Sequence, residues 1–599
     1  MNSFIKIAAY FLRKYTPIYV SRLTNKPTAM KKKLILACFF IILAQNIFAQ
    51  WNGIPSSVNN PISNSPETER TIYSVTDGSG GAILAWLAYD ITFNKQLIYM
   101  QRKTATGAIS WTTAATPLLI FTTLSNDIAE INDLVPDGAG GAYITWVEET
   151  TDTSSNIYLQ RISNTGAKLF ALPGIAINTD NGHYFSEVKI CTDATGLIVC
   201  WSDQMLLPNA NTPTYAQVFA QRYNTTGTAQ WAGGGILVST AAGIRAISSI
   251  VSDGSNGAFI SFSDARNSGI DVNGEYDNID IYAQHLSSTG TRLWGAADAA
   301  VTTELFNQTT LGTNETRTAM ISDSAGGIIL VYYDYRSNNN GPANFYAQRL
   351  NGSGTLLWPA GGLAVSNSSA INKNKFNLLY DGANGIIASW DENDFVNNIG
   401  GMYAQRISST GTLPWGATAI VANGALASGY GSSTIAADGT GNYVLNWVTF
   451  DNGVGSNVIR GQKLNANGTA QWTSGGVSIC TNPLSFPQNP VIIRSTTGTM
   501  LVAWEDDRNI ATSNTDIYSA RITPAGFLFN TTSINYVTTA NGNWNSPSTW
   551  VGNTVPPPGA IVIIRHNVIG NVNASCISLR VESPAVLTVN TGIIITVLQ

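Results

Sequence analysis

Short apolar runs that close on an aromatic residue recur along the chain, the aromatic falling at Trp86, Trp146, Trp201, Phe262, Tyr332, Trp390, Trp447 and Trp504. A glycine turn precedes each run: DGSGG at Asp77, DGAGG at Asp137, DGSNG at Asp253, DSAGG at Asp323 and DGANG at Asp381, with worn copies at Asp193, Asp438 and Ser495. A variable stretch follows, then an element of the form IYAQR, an STG turn and a further aromatic. In the fifth copy Phe345, Ala347 and Arg349 alternate with Tyr346 and Gln348, the period of a half-buried strand. Residues 328–333 are apolar throughout, as in a strand covered on both faces. The pattern predicts four strands in this copy, at 319–322, 328–333, 344–350 and 356–365.

A second marker, the glutamine of the QR element, falls at Gln101, Gln160, Gln221, Gln284, Gln348, Gln405 and Gln462, with Ala520 in the eighth copy. The two markers drift independently, so insertions collect between strands two and three, on one face of a fixed frame. Eight copies of four short antiparallel strands predict an all-β fold, an eight-bladed β-propeller over residues 50–535. Two segments compete for the last outer strand. The stretch Gln50-Trp51-Asn52-Gly53 and residues 54–58 match the fourth strand of other copies, such as Gln230-Trp231-Ala232-Gly233, while residues 527–534 offer another. A strand from the start of the chain would lock the ring and hide two sheet edges.

After about Tyr536 the pattern changes. Short β-runs at 561–564, 568–572, 577–581, 586–589 and 593–597 follow a Pro556-Pro557-Pro558-Gly559 turn. They predict a second β-rich domain at 536–599, either the first rungs of a β-helix or a small sandwich. The apolar run 593–598 lacks a polar cap, which reads as a truncated solenoid.

Composition agrees with an all-β chain: 12% of residues are charged, and glycine numbers 55. At the start, Lys31, Lys32 and Lys33 precede the apolar stretch 34–44, and Ile47-Phe48-Ala49 ends on a small residue, the form of a secretory signal. The reading is a signal peptide at 30–49, an upstream extension at 1–29 and a mature chain with no membrane span. Residues 1–49 hold eight Lys and Arg and no acid, leaving 24 basic and 37 acidic residues, a net charge of −13. Such a surface repels phosphate backbones and argues against nucleic acid. Cys191 and Cys200 flank the DATG turn, as either a disulfide or two buried thiols.

The candidate chemistry lies just past the aromatic. Asp264 and Arg266, Asp334 and Arg336, and Asp506 and Arg508 repeat one spacing, with partial forms at Glu148, Asp203 and Glu392. They form either a ring of charges able to hold a sugar or peptide, or an Asp–Arg pair that staples the loop in each blade. An acidic run in the fourth copy, Asp271, Asn273, Glu275 and Asp277, has the oxygen chemistry of a weak calcium candidate, without the glycine and terminal glutamate of an EF-hand loop. No other cofactor is expected. The histidines His183, His285 and His566 stand in different copies with no metal-ligand spacing, and no nucleophile elbow, zincin or phosphate-loop motif occurs. No catalytic residue is assigned.

The repeats, with WEDDRN at 504–509 and IYAQ at 281–284, resemble propeller repeats in large secreted proteins of Bacteroidetes. GNWNSPSTWVGNTVPPPG at 542–559 is similar to the opening of β-helix-like modules in the same class. The resemblance implies export, often by type IX secretion, and carries no catalytic residues across. The expected function is a secreted or cell-surface binding, adhesion or scaffold module for a glycan or protein ligand. The alternative is a polysaccharide-active enzyme, a glycoside hydrolase or lyase, with carboxylates on the loop-rich face. Neither the ligand nor the oligomeric state is legible.

Overall fold

The structure, a computed structural model, describes residues 60–597 apart from 125–126, 152–153, 179–182, 206–214, 270–275, 309–317, 337–342, 367–371, 395–398, 424–429, 483, 497, 510–513, 527, 529–534 and 557–559. The expected leader and the expected strand at 54–58 therefore lie outside the described residues.

Eight four-stranded antiparallel sheets form the blades of a propeller ring. Blade 1 runs Thr68–Thr76, Ala82–Asp90, Lys95–Lys103 and Leu118–Thr122, and the next six blades repeat this order. Blade 5 has its third strand at Asn344–Leu350 and its second at Ile328–Asp334, as the alternation predicts. Its fourth strand is shorter than expected: of 356–365, the strand keeps Leu363–Ala364, with Leu356 making an isolated bridge to Leu350. Gly361 and Gly362 both take positive φ, so the backbone after Trp358 turns rather than extends.

Blade 8 settles the ring closure. Its strands Gln488–Arg494, Met500–Asn509 and Asn514–Ile522 are completed by Asn60–Ser63 from the start of the propeller. The competing segment 527–534 lies outside the described residues except for Leu528, which bridges back to Ile522 beyond the STG-type turn. Ile62 joins Ile72, Trp86, Leu501 and Ile517 in one apolar cluster, so the seam is packed like the other blade interfaces.

The DGxGG motif has a local cause. Asp77 Oδ1 accepts the amides of Ser79 and Gly81, each at 2.8 Å, and Gly78 and Gly80 hold the positive φ of the turn. A Cβ at Gly81 would collide with the Lys103 carbonyl on the third strand. The buried aromatics of the second strands pack between neighbouring blades, as Trp146 does with Ile131 and Phe121.

From Asn535 onward every strand pair is parallel. Asn535–Val537, Ala560–Ile564, Ala574–Val581 and Ile595–Val597 form one ladder; Gly542–Asn543, Val568–Gly570 and Leu587–Val589 form another. This is β-helix geometry and not a sandwich, because a sandwich of short hairpins would pair antiparallel. Asn571 Nδ2 donates to Asn545 Oδ1 at 2.8 Å, 26 residues away, stacking one rung on the next. Among the described residues no helix is long and apolar enough to cross a membrane.

Candidate functional site

The links between strands two and three share a face with the links between blades. Phe486 in the blade 7–8 link donates its amide to Asp507 in the second-strand loop of blade 8. Tyr335 in the blade 5 loop donates to the Asn307 carbonyl in the blade 4–5 link, at 2.9 Å. The DGxGG and STG turns lie on the opposite face.

All three Asp–Arg pairs stand on the link face, and in each the arginine bonds the aspartate two residues before it. In blade 5, Arg336 Nε and Nη2 bond the two oxygens of Asp334 at 2.9 and 2.6 Å, and the guanidinium lies 3.7 Å above the Tyr346 ring. In blade 8, Arg508 bonds both oxygens of Asp506 in the same way and covers the Tyr518 ring at 4.0 Å. In blade 4, Arg266 Nη2 bonds Asp264 and Asp298, at 2.6 and 2.8 Å, above Tyr282. The three aspartates are buried. Burial pushes Arg336 down, but the Asp334 bonds outweigh it and hold the guanidinium above its ordinary value. Carboxylate, guanidinium and ring together form a staple that pins the loop to the third strand.

The same position is filled differently elsewhere. In blade 3, Asp203 meets His183 Nδ1 at 2.6 Å. In blade 6, Glu392 accepts the Trp390 indole at 2.9 Å and stands opposite Lys373. In blade 1 the position is Ala88, and the carboxylate moves across the ladder to the facing residue, Glu69. Blade 4 adds a partner that spacing does not reveal: Arg245, fully buried on the first strand, bonds Asp264 at 2.6 Å.

A second set of ion pairs escaped sequence reasoning. The DGxGG aspartate binds the arginine of the QR element in the same blade: Asp77 with Arg102, Asp137 with Arg161, Asp193 with Arg222, Asp323 with Arg349 and Asp381 with Arg406. Where the basic residue changes, the pair persists, as Asp253 with His285 and Asp438 with Lys463. The signal was present in the parallel survival of both motifs. The QR glutamine holds the outer turn of its own blade; Gln348 Nε2 donates to the Pro359 carbonyl at 2.9 Å. The arginine and the outer tryptophan reach the next blade, with Arg349 and Trp358 both donating to the Ser409 carbonyl.

Blades 2 and 3 carry titratable groups that do not repeat. Glu130 and Asp133 on one first strand stand near Glu187 and Lys189 on the next, whose Nζ reaches the Asn132 carbonyl at 3.5 Å. Burial pushes Glu187 up to about 7, and burial with the nearby Glu149 raises Glu130.

Of the calcium candidates, Asp271, Asn273 and Glu275 lie outside the described residues, while Asp277 accepts the Gly269 amide at 2.9 Å. Among the described residues no three His, Cys, Asp or Glu side chains gather as a metal site. Cys191, Cys200, Cys480 and Cys576 are buried free thiols.

No protein-family model matches the chain, and no curated protein sequence matches it. Solved structures do match. A protein of unknown function from Dyadobacter fermentans is 10% identical with a TM-score of 0.32, over 57% of this chain and 95% of that one. An endo-arabinase from Bacteroides thetaiotaomicron is 12% identical with a TM-score of 0.25, over 48% and 98%. The β-propeller domain of the Trilobed protease from Pyrococcus furiosus is 8% identical with a TM-score of 0.32, over 69% and 93%.

Proposed function

We propose that this chain is an exported binding or adhesion module, at the cell surface or in the medium, whose ligand, a glycan or a protein, docks on the link face of the propeller. One observation carries the reading: the repeated charges are consumed within the frame, whereas bare apolar side chains that do not repeat stand on the link-face loops. Ile91 and Phe93 in the blade 1 loop are 77% and 65% exposed, and Leu124, Leu305 and Leu484 in the blade links are as bare. Scattered apolar residues beside polar loops suit a ligand with both kinds of surface. Leader residues 31–49 support export.

The test is retardation of the purified protein in gels containing soluble polysaccharides. Retardation that disappears in I91S/F93S supports a glycan ligand on this face; absence of retardation on every polysaccharide removes the glycan and leaves a protein partner.

The non-repeating acids of blades 2 and 3 favour a second reading, a polysaccharide-active enzyme. Two carboxyl groups in one place are the residue types glycosidic cleavage uses, and burial raises Glu130, Asp133 and Glu187 alike. Release of reducing ends, lost in E187Q, would support it.

A further inference from the structure

One buried carboxylate ties the closing strand to blade 1. Glu69, on the first strand of blade 1, is fully buried. A single oxygen, Oε1, accepts three donors: the Ser63 hydroxyl, the Ser65 hydroxyl at 2.8 Å and the Trp86 indole at 2.9 Å. These come from the closing strand, the turn that follows it and the second strand of blade 1. The other oxygen, Oε2, is buried and meets no hydrogen-bond partner. The titratable groups around it are Asp516 on the third strand of blade 8 and Tyr99 on the third strand of blade 1, with Glu67 against the Tyr99 hydroxyl. None of these is a cation. Two more groups face the seam: Lys103, which burial lowers to about 7, donates to the Pro61 carbonyl of the closing strand at 3.4 Å, and Glu505 of blade 8 accepts the Thr71 amide at 2.8 Å. Both remain in Glu69→Gln, so that variant isolates the share of Glu69.

An ionised Glu69 would therefore be a buried charge without a counter-ion, near a second acid. A neutral acid fits the same geometry: Oε1 accepts as a carbonyl oxygen, and Oε2 carries the proton. We propose that Glu69 closes the ring as a neutral carboxylic acid and makes the seam a pH-sensitive latch, tight in mild acid and looser toward alkaline pH.

The sign follows from linkage. Burial pushes Glu69 up to about 8 in the closed ring, and an opened seam returns it to the ordinary value of 4.5. The closed form thus binds the proton more tightly. Its advantage is complete below 4.5, falls about tenfold per pH unit as pH rises toward 8, and is level above that.

Hydrogen exchange on the full chain tests this, with protection corrected for the intrinsic chemical rate. The amides to follow are those of Asn60, Ile62 and Ser63 and of residues 517–519, between pH 5 and 9. In the wild type their protection should fall with pH and level off near 8, while blade 5 amides stay flat. Glu69→Gln, which keeps the acceptor oxygen and cannot ionise, should abolish the fall. Ser65→Ala removes a donor that favours the anion and should move the plateau to higher pH, which decides the matter if Glu69→Gln does not fold. A flat wild-type profile, the same fall in Glu69→Gln, or an unmoved plateau in Ser65→Ala would overturn the latch.

Discussion

One oxygen of Asp323 takes both Nε and Nη2 of Arg349, at 2.9 and 2.7 Å, across 26 residues of chain. Its other oxygen accepts the amides of Ala325 and Gly327, at 2.8 and 2.7 Å. A third arginine nitrogen reaches Ser409 in the next blade. One buried carboxylate thus joins a turn, a third strand and, through its arginine, a neighbouring blade. Replacing Asp323 by Ala leaves Arg349 without its counter-charge and should cost about 3 kcal/mol, read as a lower urea midpoint. An unchanged midpoint would mean that the pair contributes nothing net.

The blade 7 version of this pair should be visible in acid. Burial alone would raise Asp438, but its bonds to Lys463 and Thr440 overcome that and lower it to about 2. Its contribution is present above the ordinary aspartate value of 3.8 and is lost as pH falls through 2. D438N should therefore be less stable than wild type at pH 7, with the difference shrinking between pH 4 and 2. A constant difference across that window would assign the effect to packing instead.

Trp358 separates packing from hydrogen bonding at a blade interface. The indole is buried and donates to the Ser409 carbonyl at 3.2 Å. Trp358→Ala should cost about 3–5 kcal/mol, since a large cavity opens between two blades. Trp358→Phe keeps most of the area and loses one hydrogen bond, for about 1 kcal/mol. Thermal unfolding of the two variants distinguishes these terms.

On the link face the expectation reverses. Ile91 and Phe93 are exposed, so I91S/F93S should change stability by less than about 0.5 kcal/mol. Its effect should appear in ligand retardation alone. A large loss of stability would instead place these residues in the structural frame.

Much of the ring was readable because each local signal repeats in a setting of its own. The turns follow from aspartate and glycine chemistry, and the third strands from two-residue alternation. The Asp334–Arg336 and Asp506–Arg508 staples were readable because both partners stand on one loop. Arg245 was not, since it reaches Asp264 from a different strand. Outer strands such as Leu363–Ala364 were overestimated, because apolar residues near Trp358 serve an inter-blade contact rather than a ladder. A strand from the start of the chain was expected to complete the last blade, but its register, Asn60 opposite Ser519, was not readable, because nothing near either residue encodes the other.

That pairing also sets a schedule. Asn60 and Ser519 are separated by 459 residues, so the first strand of the propeller to be made is the last to find its sheet. At ordinary rates of synthesis the wait is roughly 20 to 90 s. Until the two pair, blade 8 lacks its outer strand and the ring is not closed. Any chaperone of this chain would have the two faces of that unfinished seam to hold.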